Sequence, residues 1–147
     1  MQLRKIWMFG FLLVAGLLLA ACGQLAAATA PKEPPSVVEK VEGTELNRVT
    51  LTEKAAERLG IQTDSVREEQ VNDVKRLVVP YSAVIYDLEG ATWAYTSPDQ
   101  LVYVRHPITV DYIEGDRAVL VDGPAAGTTV VTVGVAELYG ADTGVGK

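Results

Sequence analysis

The chain has 147 residues, with 13 Lys or Arg against 19 Asp or Glu, one His and one Cys, and a formal charge of −6. That acidic balance disfavours nucleic acid and anionic lipid headgroups as electrostatic partners, because both are held by neutralising phosphates with Lys and Arg. A lone cysteine allows no disulfide within the chain, so stability must come from a packed core.

The chain opens with a positive pair, Arg4 and Lys5, followed by the apolar run from Ile6 to Leu19 and the small residues Ala20 and Ala21. A membrane-spanning helix needs about 20 apolar residues, and this run is too short, so it reads as an export signal. Within it, Leu19-Ala20-Ala21-Cys22 resembles the lipobox of bacterial lipoproteins. The resemblance implies cleavage between Ala21 and Cys22 and a diacylglycerol on the Cys22 thiol, a two-chain anchor that holds a protein stably on a membrane surface. An ordinary cleaved signal and an uncleaved N-terminal anchor are the alternatives. Loss of residues 1–21 removes two basic and no acidic residues, leaving 11 minus 19, or −8.

Residues 22–45, rich in Ala, Pro, Glu and Lys, show no sustained period and read as a flexible tether with a root-mean-square span of about 25 to 30 Å. Residues 46–140 carry the domain. In RVTLTEKAAERLGI, Thr52 is placed to cap a short helix with Ala55, Ala56 and Leu59 on one face, and Gly60 to end it. Strand signals follow: IQTDSV, VNDVKRLVV, SAVIY, TWAYTS, LVYVRH, ITVDYI, RAVLVD and TVVTVG, with a break expected at His106-Pro107. Turn residues separate them at DLEG, SPDQ, EGD and DGPAAG. The pattern predicts an all-β fold, a small and mainly antiparallel barrel or sandwich with one short helix and one modest core. The Gly-rich residues 141–147 read as a disordered tail.

The search for chemistry returns no catalytic set. DGPAAGTT lacks the spacing and the lysine of a phosphate-binding loop. Asp111, Glu114, Asp116 and Asp122 do not follow the alternation of a calcium loop and read as solvated turns. His106 is the only histidine, reads as a surface residue, and no nucleophile elbow surrounds Ser65, Ser82 or Ser97. Trp93, Tyr95, Tyr103 and Tyr112 alternate along strands with no basic groove between them, which favours core and rim packing over base stacking. The chain therefore reads as a non-enzyme with no cofactor and no metal.

Two stretches carry a family resemblance. VTLTEKAAERLGIQTDSV resembles the segment that precedes the lipoyl-like domain in periplasmic adaptor subunits, or membrane fusion proteins, of efflux pumps. VPYSAVIYDLEGATWAYT with VYVRHPITVDYIEGDRAVLVDGPAAGTTVVTVGVAEL is similar to the membrane-proximal β-domain of the same family. Between Asp73 and Val79 there is no room for the lipoyl half-motifs and long α-hairpin of a full adaptor, so the resemblance is to a truncated form. The family's G-L-x-x-G-D turn is replaced by Gly123-Pro124-Ala125-Ala126-Gly127-Thr128. What the resemblance implies is an accessory subunit that docks on an inner-membrane export transporter. Candidate docking loops are Asp87, Leu88, Glu89 and Gly90, and Asp122, Gly123, Pro124, Ala125, Ala126 and Gly127. The alternative is an envelope lipoprotein binding a small ligand or metal, for which a pocket lined by Trp93 and tyrosines would speak. Oligomeric state and transported substrate stay open.

Overall fold

Strand β2 (Asn47–Leu51) ends at Thr52, whose extended backbone and side chain, accepting from the Ala55 N–H at 3.2 Å, open helix α1 (Glu53–Leu59). Such a cap contributes about 1 kcal/mol. At the other end Gly60 adopts a left-handed φ of 62°, and the N–H groups of Gly60 and Ile61 return to the carbonyls of Glu57 and Ala56. This closure suits glycine because any Cβ would be strained there.

The computed structural model describes residues 33–144. The expected signal peptide, the cleavage site Ala21–Cys22 with its lipid attachment, and residues 145–147 lie outside that range. Before β2 comes β1 (Ser36–Lys40). After α1 the chain forms β3 (Gln62–Ser65), β4 (Arg67–Val71), β5 (Val74–Pro80), a 3₁₀ turn at Tyr81–Ala83, β6 (Ile85–Tyr86), β7 (Thr92–Asp99), β8 (Val102–Glu114), β9 (Arg117–Asp122), β10 (Thr129–Val133) and helix α2 (Val135–Thr143). The sheet runs β3-β10-β7-β8-β9-β5-β4, with β6 on β7 and the β1–β2 hairpin on β8. The pairings are antiparallel, and the sheet curls into a half-barrel. The fold is all-β, as the alternating strands predict, with a second helix among the described residues besides the expected one.

Several boundaries differ from the sequence reading. The tether expected over 22–45 does not extend through Ser36–Lys40, which pairs in register with β2, Ser36 opposite Leu51 and Lys40 opposite Asn47. Val38 packs on the core while Val37 faces out, an alternation too short to show as a period. The tail expected from 141 is helical through Thr143, and Asp142 is buried. Gly140 lies inside α2, where it costs about 1 kcal/mol relative to alanine, and so imitates a helix end in the sequence. VNDVKRLVV is not one strand: Asn72 and Asp73 both take positive φ, 50° and 63°, and turn β4 into β5. Positive φ at both central residues is what a tight hairpin turn requires. The break expected at His106-Pro107 is absent, for β8 continues through both residues opposite Ala94 and Trp93. Proline's fixed φ fits a strand and its missing N–H removes at most one ladder bond.

The core is also double rather than single. Alternate residues of β7 and β10 feed opposite faces of the sheet. Tyr95 and Val131 join a cluster with Val49, Leu51, Tyr103 and Leu138, over which the two helices pack. Ala94 and Val130 join the other, with Val66, Val79, Ile108 and Leu120. Each fully buried valine or leucine contributes about 1.5–3 kcal/mol of hydrophobic stabilisation. Gly134 joins β10 to α2 with φ 86°, and a Cβ there would collide with Ile61 Cδ1.

Candidate functional site

The first expected docking loop is a rigid turn. Asp87 Oδ1 accepts from the N–H groups of Glu89 at 3.1 Å and Ala91 at 2.7 Å, while Asp87 Oδ2 accepts from Trp93 Nε1 at 2.8 Å. These donors hold the carboxyl below the usual carboxylate range, the Trp93 indole N–H foremost. The backbone closes the same turn, Asp87 N–H to Ala91 O at 3.0 Å, with Gly90 at φ 84°. Leu88 stands on its tip with 96% of its surface exposed.

The second expected loop is tied elsewhere. Pro124 is buried, Ala125 and Ala126 are exposed, and Gly127 donates to Val66 O at 2.8 Å while Val66 donates to Thr128 O at 2.8 Å. Gly123 packs so closely on Leu120 and Ile108 that a side chain there would displace one of them. The two loops do not share a site. A groove of about 620 Å³ receives Gly90 from the first and none of residues 122–127 from the second.

That groove runs beside β8 from Pro107 to Ile113, with Tyr86 and Trp93 on its flanks. Tyr86, Tyr112 and Ile113 remain 51%, 38% and 40% exposed, so its walls are aromatic and aliphatic and largely open to water. Partial burial raises the Tyr86 phenol, helped by Tyr81 beside it. Asp111 is the one carboxylate among the described residues that line the groove, and Arg76 approaches it at 3.6 Å. Among the described residues that line it, the groove has this single carboxylate and no histidine, cysteine or lysine.

Trp93 connects this groove to a buried polar cluster that the sequence reading missed. Its indole N–H holds Asp87, and its face lies under the Arg105 guanidinium, 4.9 Å from the ring centroid. Arg105 Nε is 2.7 Å from Asp142 Oδ2, but its N–H points off the oxygen, so this is a Coulombic pair without a directed hydrogen bond. Tyr95 OH donates to the same oxygen at 2.7 Å, and Asn47 Nδ2 donates to Asp142 Oδ1 at 2.8 Å and to the Asp142 carbonyl at 3.0 Å. Tyr139 flanks the guanidinium at 5.7 Å. The Tyr95 phenol is driven far upward, by desolvation first and the Asp142 carboxylate second. The available signal was Asp142 falling at helical spacing from Val135 and Leu138, which places a carboxylate on an otherwise apolar face.

The remaining candidates resolve simply. His106 is half-buried on β8, its Nδ1 2.8 Å from the Pro107 carbonyl. Tyr95 and Tyr103 are core, while Trp93 and Tyr112 line the groove. Among the described residues, no group of three or more His, Cys, Asp or Glu converges as a metal site. Glu114 engages Arg117, which also holds Glu69 at 2.7 Å.

The chain was compared with protein families, curated proteins and solved structures. None matches. Among the described residues no helix is long and apolar enough to cross a membrane.

Proposed function

We propose that this chain is a lipid-anchored docking module, an accessory of an export transporter that binds its partner through the Asp87–Gly90 turn and the groove beside it. The observation that carries the reading is Leu88, 96% exposed on a turn held by one carboxylate with three donors. Exposed apolar side chains on rigid loops of a β scaffold are suited to partner recognition, because little conformational freedom is lost on binding. The membrane link comes from the lipobox-like LAAC at residues 19–22, and the transporter as partner from the likeness to adaptor subunits. A tethered domain meets membrane-proximal surfaces at high effective concentration, so a weak contact suffices.

The groove's Trp93, Tyr86 and Tyr112 also support the second reading, a small ligand. Small-ligand sites enclose most of their ligand, whereas these walls are about half exposed, which favours a macromolecular partner. The test is in-cell photocrosslinking from positions 88 and 89, compared with 125 and 126. Capture of an export transporter from 88 and 89 is the expected result; capture of none, with saturable binding of a small molecule by the purified protein, favours the second reading. For the anchor, Cys22→Ser is expected to abolish lipid labelling and release the protein from membranes, and retention through a salt wash would refute it.

A further inference from the structure

We propose that the second edge of β8, from Thr109 to Glu114, accepts an added strand supplied by an extended, basic segment of a partner protein. The proposal rests on the docking reading and names the mode of attachment. Residues 109–114 pair with β9 alone, since β7 leaves β8 at Ile108 and β2 leaves it at Val104. Their other edge therefore has no strand partner among the described residues, and the groove of about 620 Å³ follows it from Thr109 to Ile113. Backbone N–H and C=O groups along an open edge are a template for another chain, and pockets for alternate side chains supply specificity.

A second unpaired edge shows that openness alone is not the argument. Among the described residues β4 pairs only with β5, but its sequence is REEQV, and Arg67, Glu68 and Glu69 stand there in ion pairs with Asp64, Lys75 and Arg117. That is a guarded edge, where an incoming strand would have to displace charges. The β8 edge also carries paired acids, Asp111 with Arg76 and Glu114 with Arg117, and its register on β9 shifts between Thr109 and Val110 and between Val110 and Tyr112. But it is bordered by Tyr86, Tyr112 and Ile113, aromatic and aliphatic side chains that stay exposed.

Charge selects the occupant. The stretch Thr109–Glu114 contains Asp111 and Glu114 and no basic residue, and Glu89 precedes Gly90 in the turn that adjoins the groove. The nearest cations are Arg76, 3.6 Å from Asp111, and Arg117, which Glu114 shares with Glu69. Acids exceed cations along this rim. A second copy of the chain would bring the same acids to the edge, and like charges across a strand pair are destabilising. A strand with Lys or Arg at alternate positions supplies the missing charge while its other face covers the aromatic groove.

The test uses the purified full chain and three hexapeptides: Lys-Val-Lys-Val-Lys-Val, its Glu-Val counterpart, and the Lys-Val peptide with the backbone amides of both its lysines and its valines N-methylated, so that neither edge can donate. The Lys peptide is expected to bind about fivefold or more tighter than the Glu peptide and to slow amide exchange over residues 109–114; N-methylation, which removes backbone donors and leaves the side chains, is expected to abolish both. Asp111→Lys, a surface change, is expected to reverse the preference. Equal binding of the N-methylated peptide, no slowing with any peptide, or slowing produced by raising protein concentration alone would overturn the proposal, the last in favour of a second copy. Transporter capture from positions 88 and 89 without peptide binding removes the added strand and leaves docking standing, and the converse result removes the transporter and leaves the edge.

Discussion

The two hydrophobic clusters grow from neighbouring residues of the same two strands, Ala94 with Tyr95 on β7 and Val130 with Val131 on β10, yet they close in different ways. One is filled by small and branched side chains, Ala83, Ala94, Ala118, Val79 and Leu120, with no buried ionisable group among the described residues. The other contains Tyr95 and Tyr103 and is closed by α2, whose Asp142 must be matched by Arg105, Tyr95 and Asn47. An apolar cluster needs only shape and area, whereas a buried carboxylate also needs every partner present at once. The second arrangement is conditional, and through Trp93 it reaches the Asp87 turn.

The hardest break is expected on the apolar side. Val130 is fully buried, so Val130→Asp places an unpaired carboxylate among aliphatic groups; a loss of about 5 kcal/mol or outright unfolding is expected in urea titration.

On the polar side, Asp142→Ala leaves Arg105 charged, 16% exposed and unmatched, and about 3–4 kcal/mol is expected to be lost. Asp142→Leu combined with Arg105→Met should recover much of that loss, because removing both partners of a buried pair is often neutral. If the double variant were no better than Asp142→Ala, the two clusters would differ in packing and not in charge matching.

Tyr95→Phe removes one donor to Asp142 and retains the ring. A loss of about 1–2 kcal/mol is expected, with faster amide exchange confined to α2.

The smallest effect concerns pH. Asp87 titrates below its ordinary value of about 3.9, so its hold on the turn is fully present above that value and is lost as pH falls through the lower folded value. The Trp93 indole resonance is expected to shift in that acid window and in no other. Asp87→Asn should show no such transition.

Much of the architecture was legible because it rests on local rules. The alternation of ITVDYI, RAVLVD and TVVTVG, the cap at Thr52 and the stop at Gly60 depend on residues a few positions apart. The Asp87–Gly90 turn was legible for the same reason, an aspartate that bonds its own following amides. The aromatic residues could be placed on strands but not on faces, since Trp93 and Tyr112 enter the groove and Tyr95 and Tyr103 the core according to pairings across the sheet.

The sequence by itself determined the antiparallel β class, the first helix with both its ends, and the turn that carries Leu88, all set by period and short-range hydrogen bonding. Tertiary structure alone decided that Ser36–Lys40 is a strand, that β7 and β10 divide two cores, that β8 has one edge without a strand partner among the described residues, and that Asp142 belongs to the interior. The strand Ser36–Lys40 pairs with the neighbouring Asn47–Leu51 and is only too short to show a period, but the other three depend on partners far along the chain, 95 residues in the case of Asn47 and Asp142, and no local pattern encodes which distant group will satisfy a buried charge or an unpaired edge.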